Sequence, residues 1–177
     1  MIIGLIGKAG SGKSTAARIL CTRLNATEVS LADPIKRIAR DLFGFTERQL
    51  WGPSECRNAV DGRFGALTPR HALQTLGSWG REMHEGIWVD AALRLAAQHS
   101  VAVIPDVRYH NEAAAIHAKG GCLIRIVRPG AGLEGGAGQH PSELAQETIR
   151  SDAEVLNNGT IEDLRVRLAL LLDAMRD

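Results

Sequence analysis

Gly7-Lys8-Ala9-Gly10-Ser11-Gly12-Lys13-Ser14 is the stretch that decides the fold, set between the apolar run Met1–Ile6 and the segment Ser14–Leu24. The run before it is short and β-branched and breaks at a glycine, which predicts a buried strand. After it, Ala16, Ile19, Leu20 and Leu24 recur at helical spacing, so a helix opens where the turn ends. Strand, glycine turn and helix in that order supply the context that the pattern GxxxxGK[ST] needs. The glycines let successive backbone N–H groups converge on one anion, and the helix adds its positive end at the same point. Lys13 then reaches the outer phosphates of ATP, and the Ser14 hydroxyl ligates magnesium (Mg2+). Gly10, Gly12, Lys13, Ser14 and Thr15 are the candidate nucleotide-binding residues of this segment.

Outward from the turn, strands alternate with helices. Thr27–Leu31 predicts a second strand, and Pro34 suits the first turn of a helix running to about Phe43. Residues 44–67 read as loops with a short helical piece. Pro69–Met83 and Trp88–His99 read as helices, the first weakened by Gly77 and Gly80. Val101–Pro105 predicts a central strand, Asn111–Ala118 a helix, and Cys122–Val127 and Ala153–Leu156 two further strands. Pro129–Gln139 is too Gly-rich for a packed element and is expected to be a mobile loop. The last helix is the clearest, with Ile161, Leu164, Leu168, Leu171 and Met175 on one stripe, Thr160 as cap, and Glu162 and Asp163 at its positive end. Strands separated by helices imply an α/β fold, a parallel sheet covered on both faces. There are no repeats, and a single domain over 1–177 is expected.

Composition narrows the function. The chain has 177 residues, 45% of them apolar and 23% charged, the balance of a globular protein. Its net charge of +1 gives no global pull toward nucleic acid or an anionic membrane, so neither is expected as a partner. Cys21, Cys56 and Cys122 show no paired or metal-ligand spacing, which argues against a disulfide framework and for a reducing cytoplasm. The N-terminal apolar run is too short for a signal peptide or a membrane span. A homodimer is left open.

Asp106 follows the apolar run Val101–Pro105, where a carboxylate at a strand tip can hold magnesium; capping of the next helix is the alternative. The acceptor must be read from the remaining cations. Lys36, Arg37, Arg57, Arg70, Arg81, Arg108, Arg125 and Arg128 lie mostly near expected loops or strand ends, more than a water-activating ATPase requires. If several converge, they suit two phosphate groups brought together, since each Arg can grip oxygens bidentately. A phosphate acceptor is already largely a dianion at neutral pH and needs charge neutralisation and in-line placement more than a base. A hydroxyl acceptor would need a base, for which Asp33 is the candidate.

Beyond the generic loop, the blocks SLADPIKRIAR (30–40), TPRHALQTLGSWGRE (68–82), IPDVRYHNEAAAI (104–116), HPSE (140–143) and NNGTIEDL (157–164) are spread in order along most of the chain. In that order they resemble the bacteriophage deoxynucleoside monophosphate kinases, a branch of the P-loop nucleotide kinases. The resemblance implies a three-layer sandwich with a five-stranded parallel sheet, ATP as donor and a deoxynucleoside monophosphate as acceptor. It also implies a helical acceptor-binding insertion over about 44–100 and a Gly-rich lid over about 128–145. Carried onto this sequence, Asp33 and Lys36 face the acceptor, Arg70 and Arg81 lie in the helical region over the monophosphate, and Arg108 and Glu112 contact the acceptor or orient its clamp. Lys13, Asp33 and Arg108 form the catalytic set, Asn158, Gly159 and Thr160 lie by the adenine, and Arg128 is a lid residue. Trp79 stands where a smaller or acidic residue is expected, and the stretch Gly130–Gly138 offers no fixed arginine beyond Arg128. A small-molecule kinase of dephospho-coenzyme A or phosphomevalonate type, and a regulatory or packaging ATPase, are the rival readings.

Each candidate also has a plain structural reading. Asp33 before Pro34 can simply start a helix, and Lys36 and Arg37 can be solvated helix charges. Arg81 can pair with Glu82 or Glu85. Arg125 within a strand pattern calls for an edge position or a carboxylate partner. His140 and Glu143 can anchor the lid or only begin a helix at Pro141, and Trp79 and Trp88 are more often core than stacking platforms.

Overall fold

Ile2–Ile6 (β1) is buried almost throughout, because it lies in the middle of a five-stranded, all-parallel sheet of order β2-β3-β1-β4-β5. The computed structural model describes residues 1–132 and 141–175. The other strands are Thr27–Glu28 (β2), Ala102–Ile104 (β3), Cys122–Val127 (β4) and Ala153–Leu156 (β5). β1 pairs with β3 from Ile2↔Ala102 and with β4 from Ile3↔Cys122. A strand flanked on both sides and covered on both faces reads as an unbroken apolar run, which is what Met1–Ile6 offers.

The two faces follow from the two-residue period of a strand. Ile3, Leu5, Ile124, Ile126 and Val155 turn to one face, where they meet Ala16, Ala17 and Leu20 of Lys13–Leu24 (α1). The same face holds Leu164, Leu168 and Leu172 of the last helix. On the opposite face lies His110–Ala118 (α7): a methyl at Gly4 would fall 2.6 Å from Leu123 and 2.9 Å from Ile116. The sheet is thus covered on both sides, as expected of the α/β class.

By compactness the chain divides into two units, Met1–Ser30 with Ala92–Asp177, and Leu31–Ala91. The second is wholly helical. Asp33–Phe43 (α2), Glu47–Trp51 (α3), Ser54–Asn58 (α4) and Pro69–Met83 (α5) surround Ala39, Phe45, Leu50 and Ala72. Its first helix, α2, packs on α5 and α3. Residues 44–67, expected to be mostly loop, form α3, α4 and a 3-10 turn, pieces too short to carry a periodic signal. Thr46 opens α3 with a capping box to Gln49. Asp61 is buried and accepts from Gln49 Nε2 at 2.9 Å and from Arg63 Nε and Nη2 at 2.9 and 2.7 Å. These bonds, those from Arg63 foremost, hold its carboxyl well below the usual carboxylate range.

Ile87–Ala96 (α6) carries Trp88, which is core: its Nε1 donates to the Gly77 carbonyl at 3.0 Å. Pro141–Thr148 (α8) and Ile161–Ala174 (α9) complete the fold. The Thr160 side chain accepts from Asp163 N at 3.2 Å, and the Asp163 carboxylate accepts from Thr160 N at 2.8 Å. Residues 133–140 of the expected lid, His140 among them, lie outside the described residues, as does the Glu143 side chain. Among the described residues no helix is long and apolar enough to cross a membrane, and the three cysteines are free thiols.

Candidate active site

The phosphate loop runs from the end of β1 to Gly12, which occupies φ +98°, a region that L side chains rarely enter. Gly12 is the N-cap of α1 and has no side chain to cap it, and the first turn of the helix holds no acidic residue. The positive end of a 12-residue helix therefore meets no carboxylate of its own first turn. Ser11 is 1% exposed, and its Oγ is buried without a hydrogen-bond partner among the described residues. The Lys13 ammonium donates to the Gly7 carbonyl and to the Lys8 carbonyl at 2.8 Å, so the cation is folded over the loop. Uncapped N–H groups, an orphaned hydroxyl and an ammonium at one turn fit an anion of several oxygens.

On the β4 side of the loop is a cavity of about 520 Å³, lined by Gly7, Lys8, Ser11, Arg125, Arg128 and Glu147 among others. Arg128 is exposed at the end of β4, so the structure brings it together with the loop. Lys8 pairs with Glu147 of α8 at 2.8 Å and lowers the pKa of that carboxyl. Arg125 is already paired within that lining. β4 is an interior strand, not an edge, and Arg125 is satisfied by Glu154 across the β4–β5 register at 3.4 Å and by the carbonyls of Gln146 and Ile149.

Asp106 follows β3, and its Oδ2 accepts from Ser30 Oγ at 2.7 Å. No cluster of three or more His, Cys, Asp or Glu suited to a metal occurs among the described residues. One hydroxyl and one carboxylate, Ser14 and Asp106, are nevertheless the donor set that suits magnesium, which keeps several waters and shares phosphate oxygens. Arg108 and Tyr109 precede α7, and both of their N–H groups donate to Glu112 Oε2, at 2.7 and 3.0 Å. Glu112 is buried, so its carboxylate fixes the backbone that carries Arg108.

In the loop after β5, Asn158 Oδ1 accepts from Arg167 at 2.8 Å, and the Thr160 hydroxyl caps α9. Sequence reasoning passed over Asn157, whose buried Nδ2 donates to the Ser11 carbonyl at 2.8 Å. The Asn-Asn-Gly run at a strand end marks the place, but residue type alone does not tell the buried amide from its exposed neighbour.

In the helical unit, Asp33 does not cap α2, whose N-cap is Ala32. Instead Asp33 Oδ1 accepts from Trp51 Nε1 at 3.0 Å and pairs with Lys36 at 3.5 Å, while the Lys36 ammonium stands 5.5 Å over the Trp51 ring. The structure thus unites Asp33 and Lys36 around Trp51, a third member that the sequence did not offer. Arg70, at the start of α5, donates to Asn58 of α4. Arg81 folds back along the same helix, its guanidinium 3.6 Å from where a Gly77 Cβ would stand.

No family model matches the chain. A protein of Acanthamoeba polyphaga mimivirus named "Putative deoxynucleotide monophosphate kinase" is 36% identical over 189 residues, spanning 98% of this chain and 96% of the viral one. The chain belongs to that protein's family. Among solved structures, dephospho-CoA kinase from Campylobacter jejuni aligns with a TM-score of 0.54 at 15% identity, covering 98% of this chain and 96% of that one. Shikimate kinase from Aquifex aeolicus aligns with a TM-score of 0.51 at 16% identity, covering 99% and 98%. At such identities the likeness is one of fold, and the fold is that of the P-loop kinases. By family and fold, this chain belongs with the P-loop kinases.

Proposed function

We propose that this kinase transfers the γ-phosphoryl group of ATP to a deoxynucleoside 5′-monophosphate, giving ADP and the diphosphate. The observation that carries the reading is the start of α1, where an uncapped helix end free of first-turn carboxylates meets Lys13 and the orphaned Ser11 hydroxyl. That arrangement suits a polyphosphate tail, and the name of the viral relative supports the acceptor.

Gly10, Gly12, Lys13, Ser14 and Thr15 hold the donor phosphates, and Lys13 leaves its carbonyl partners to follow the charge that moves toward the leaving ADP. Ser14 and Asp106 hold magnesium, which neutralises phosphate oxygens when bound. The loop Asn158–Thr160 supplies backbone beside the adenine, because its Asn and Thr side chains are already engaged. Asp33, Lys36, Arg70 and Arg81 bind the acceptor, Arg108 neutralises the transferred group, Glu112 orients Arg108, and Arg128 contributes from the end of β4. The acceptor phosphate needs little deprotonation, so an Asp33 already bonded by Trp51 and Lys36 serves to orient rather than to abstract a proton.

The test is ADP release with each of several deoxy- and ribonucleoside monophosphates, with an acceptor-free control, for the parent and Lys13→Ala. The expected result is strong stimulation by deoxynucleoside monophosphates in the parent and none in the variant. Equal ADP in every tube, control included, or near-normal turnover by Lys13→Ala, would refute it.

A further inference from the structure

Asn157 sits where β5 ends, and two of its bonds reach different parts of the α/β unit. Its backbone N–H donates to the Val127 carbonyl at 2.6 Å, at the end of β4. Its side-chain Nδ2 donates to the Ser11 carbonyl at 2.8 Å, 146 positions earlier in the chain, and the residue is 7% exposed. The amide also fills the space beside Gly12: a Cβ there would lie 2.3 Å from Asn157 Nδ2. One buried carboxamide therefore both ties down the phosphate loop and occupies the volume that a larger residue at position 12 would need.

The Ser11 carbonyl belongs to the same planar peptide unit as the Gly12 N–H. In a trans peptide these two groups point in opposite directions. Holding the carbonyl toward Asn157 turns the Gly12 N–H away from Asn157. Gly12 is the N-cap of α1, so this donor joins the first N–H groups of the helix, which have no intrahelical acceptor. We propose that Asn157 is a positioning residue for the donor nucleotide: by anchoring the Ser11 carbonyl it aims the Gly12 N–H at a phosphate oxygen. The inference rests on the nucleotide-binding reading of the loop and adds to it a residue that touches no substrate.

Such a role separates from plain structural support, because it acts on nucleotide affinity and not on the acceptor. Asn157→Ala removes the donor, and Asn157→Asp keeps the shape while placing an acceptor against a carbonyl. With ADP titrated calorimetrically in the absence of magnesium, Asn157→Ala is expected to raise Kd about tenfold, the scale of one well-aimed hydrogen bond. Asn157→Asp is expected to raise it at least as much, and the KM for the acceptor is expected to stay within twofold of the parent in both. Hydrogen exchange of the ligand-free variants should quicken over residues 10–14 and not over β1. An Asn157→Ala protein that binds ADP within twofold of the parent overturns the proposal. Should the variants fail to fold, the parent decides: its Gly12 N–H should exchange freely without nucleotide and become protected with ADP. Protection already present in the ligand-free parent overturns it too. If Lys13→Ala binds ADP as well as the parent does, the nucleotide site itself is misplaced; normal binding by Asn157→Ala alone removes only the brace.

Discussion

Gly80→Ala sets two effects of opposite sign against each other, and the structure says which wins. Gly80 lies inside α5, where alanine is favoured over glycine by about 1 kcal/mol. On propensity alone the substitution stabilises. The added Cβ, however, would fall 2.2 Å from Trp88 Cζ2 and 2.7 Å from Cε2, far inside contact distance. Trp88 is 6% exposed, so its ring can retreat only by disturbing the packing around it. Overpacking of this kind costs about 1–3 kcal/mol. The retreat also pulls Nε1 from the Gly77 carbonyl, a further loss of about 0.5–1.5 kcal/mol. Set against the helix gain, the net is about 2 kcal/mol of destabilisation. For a chain of this size that corresponds to a fall in Tm of about 4–8 °C. Scanning calorimetry of the parent, Gly80→Ala, Trp88→Leu and the double variant measures it. The double variant should lose less than the sum of the singles, since the smaller side chain makes room for the methyl. A Gly80→Ala protein that melts at or above the parent would show that Trp88 does not pack where the structure puts it.

Three further outcomes follow from particular contacts. Asp61 has a depressed folded pKa, so its contribution to stability is complete above the unfolded value of about 3.9 and is lost as pH falls toward the folded value. Asp61→Asn should therefore lower Tm at pH 7, with a deficit that shrinks below about pH 4; a deficit independent of pH would refute the assignment. Trp51→Phe removes the indole N–H from Asp33 while keeping a ring, and should lower kcat/KM for the acceptor about tenfold with the KM for ATP unchanged, as steady-state kinetics with each substrate varied will show. Glu112→Ala strips two backbone N–H groups of their acceptor and should cost about 1–2 kcal/mol in urea unfolding, with a raised acceptor KM.

The sheet and its larger helices were legible because each carries its own period and its own punctuation. Cys122–Val127 and Ala153–Leu156 fall where the apolar runs between turn residues put them, and α5 spans the expected Pro69–Met83. The second strand is shorter than expected, Thr27–Glu28 instead of Thr27–Leu31, because β2 is an edge strand whose ladder with β3 ends at Glu28↔Val103. The phosphate loop was legible because its chemistry is local, eight residues in a row. What stayed hidden depends on partners distant in sequence. Trp51 reaches Asp33 only because α3 packs on α2, and Arg125 finds Glu154 only through the strand register. Asn157 meets Ser11 only when β5 lies beside β4. No residue type announces such meetings.

Gly4 has no side chain to do chemistry, yet it sets the height at which α7 rests on the central strand. A side chain there would wedge against Leu123, Ile116 and Val107, and the disturbance would travel along the helix to the turn bearing Arg108. Variant surveys of this chain should thus register position 4 as intolerant even to alanine, with lost turnover as the visible phenotype and a packing fault as its origin.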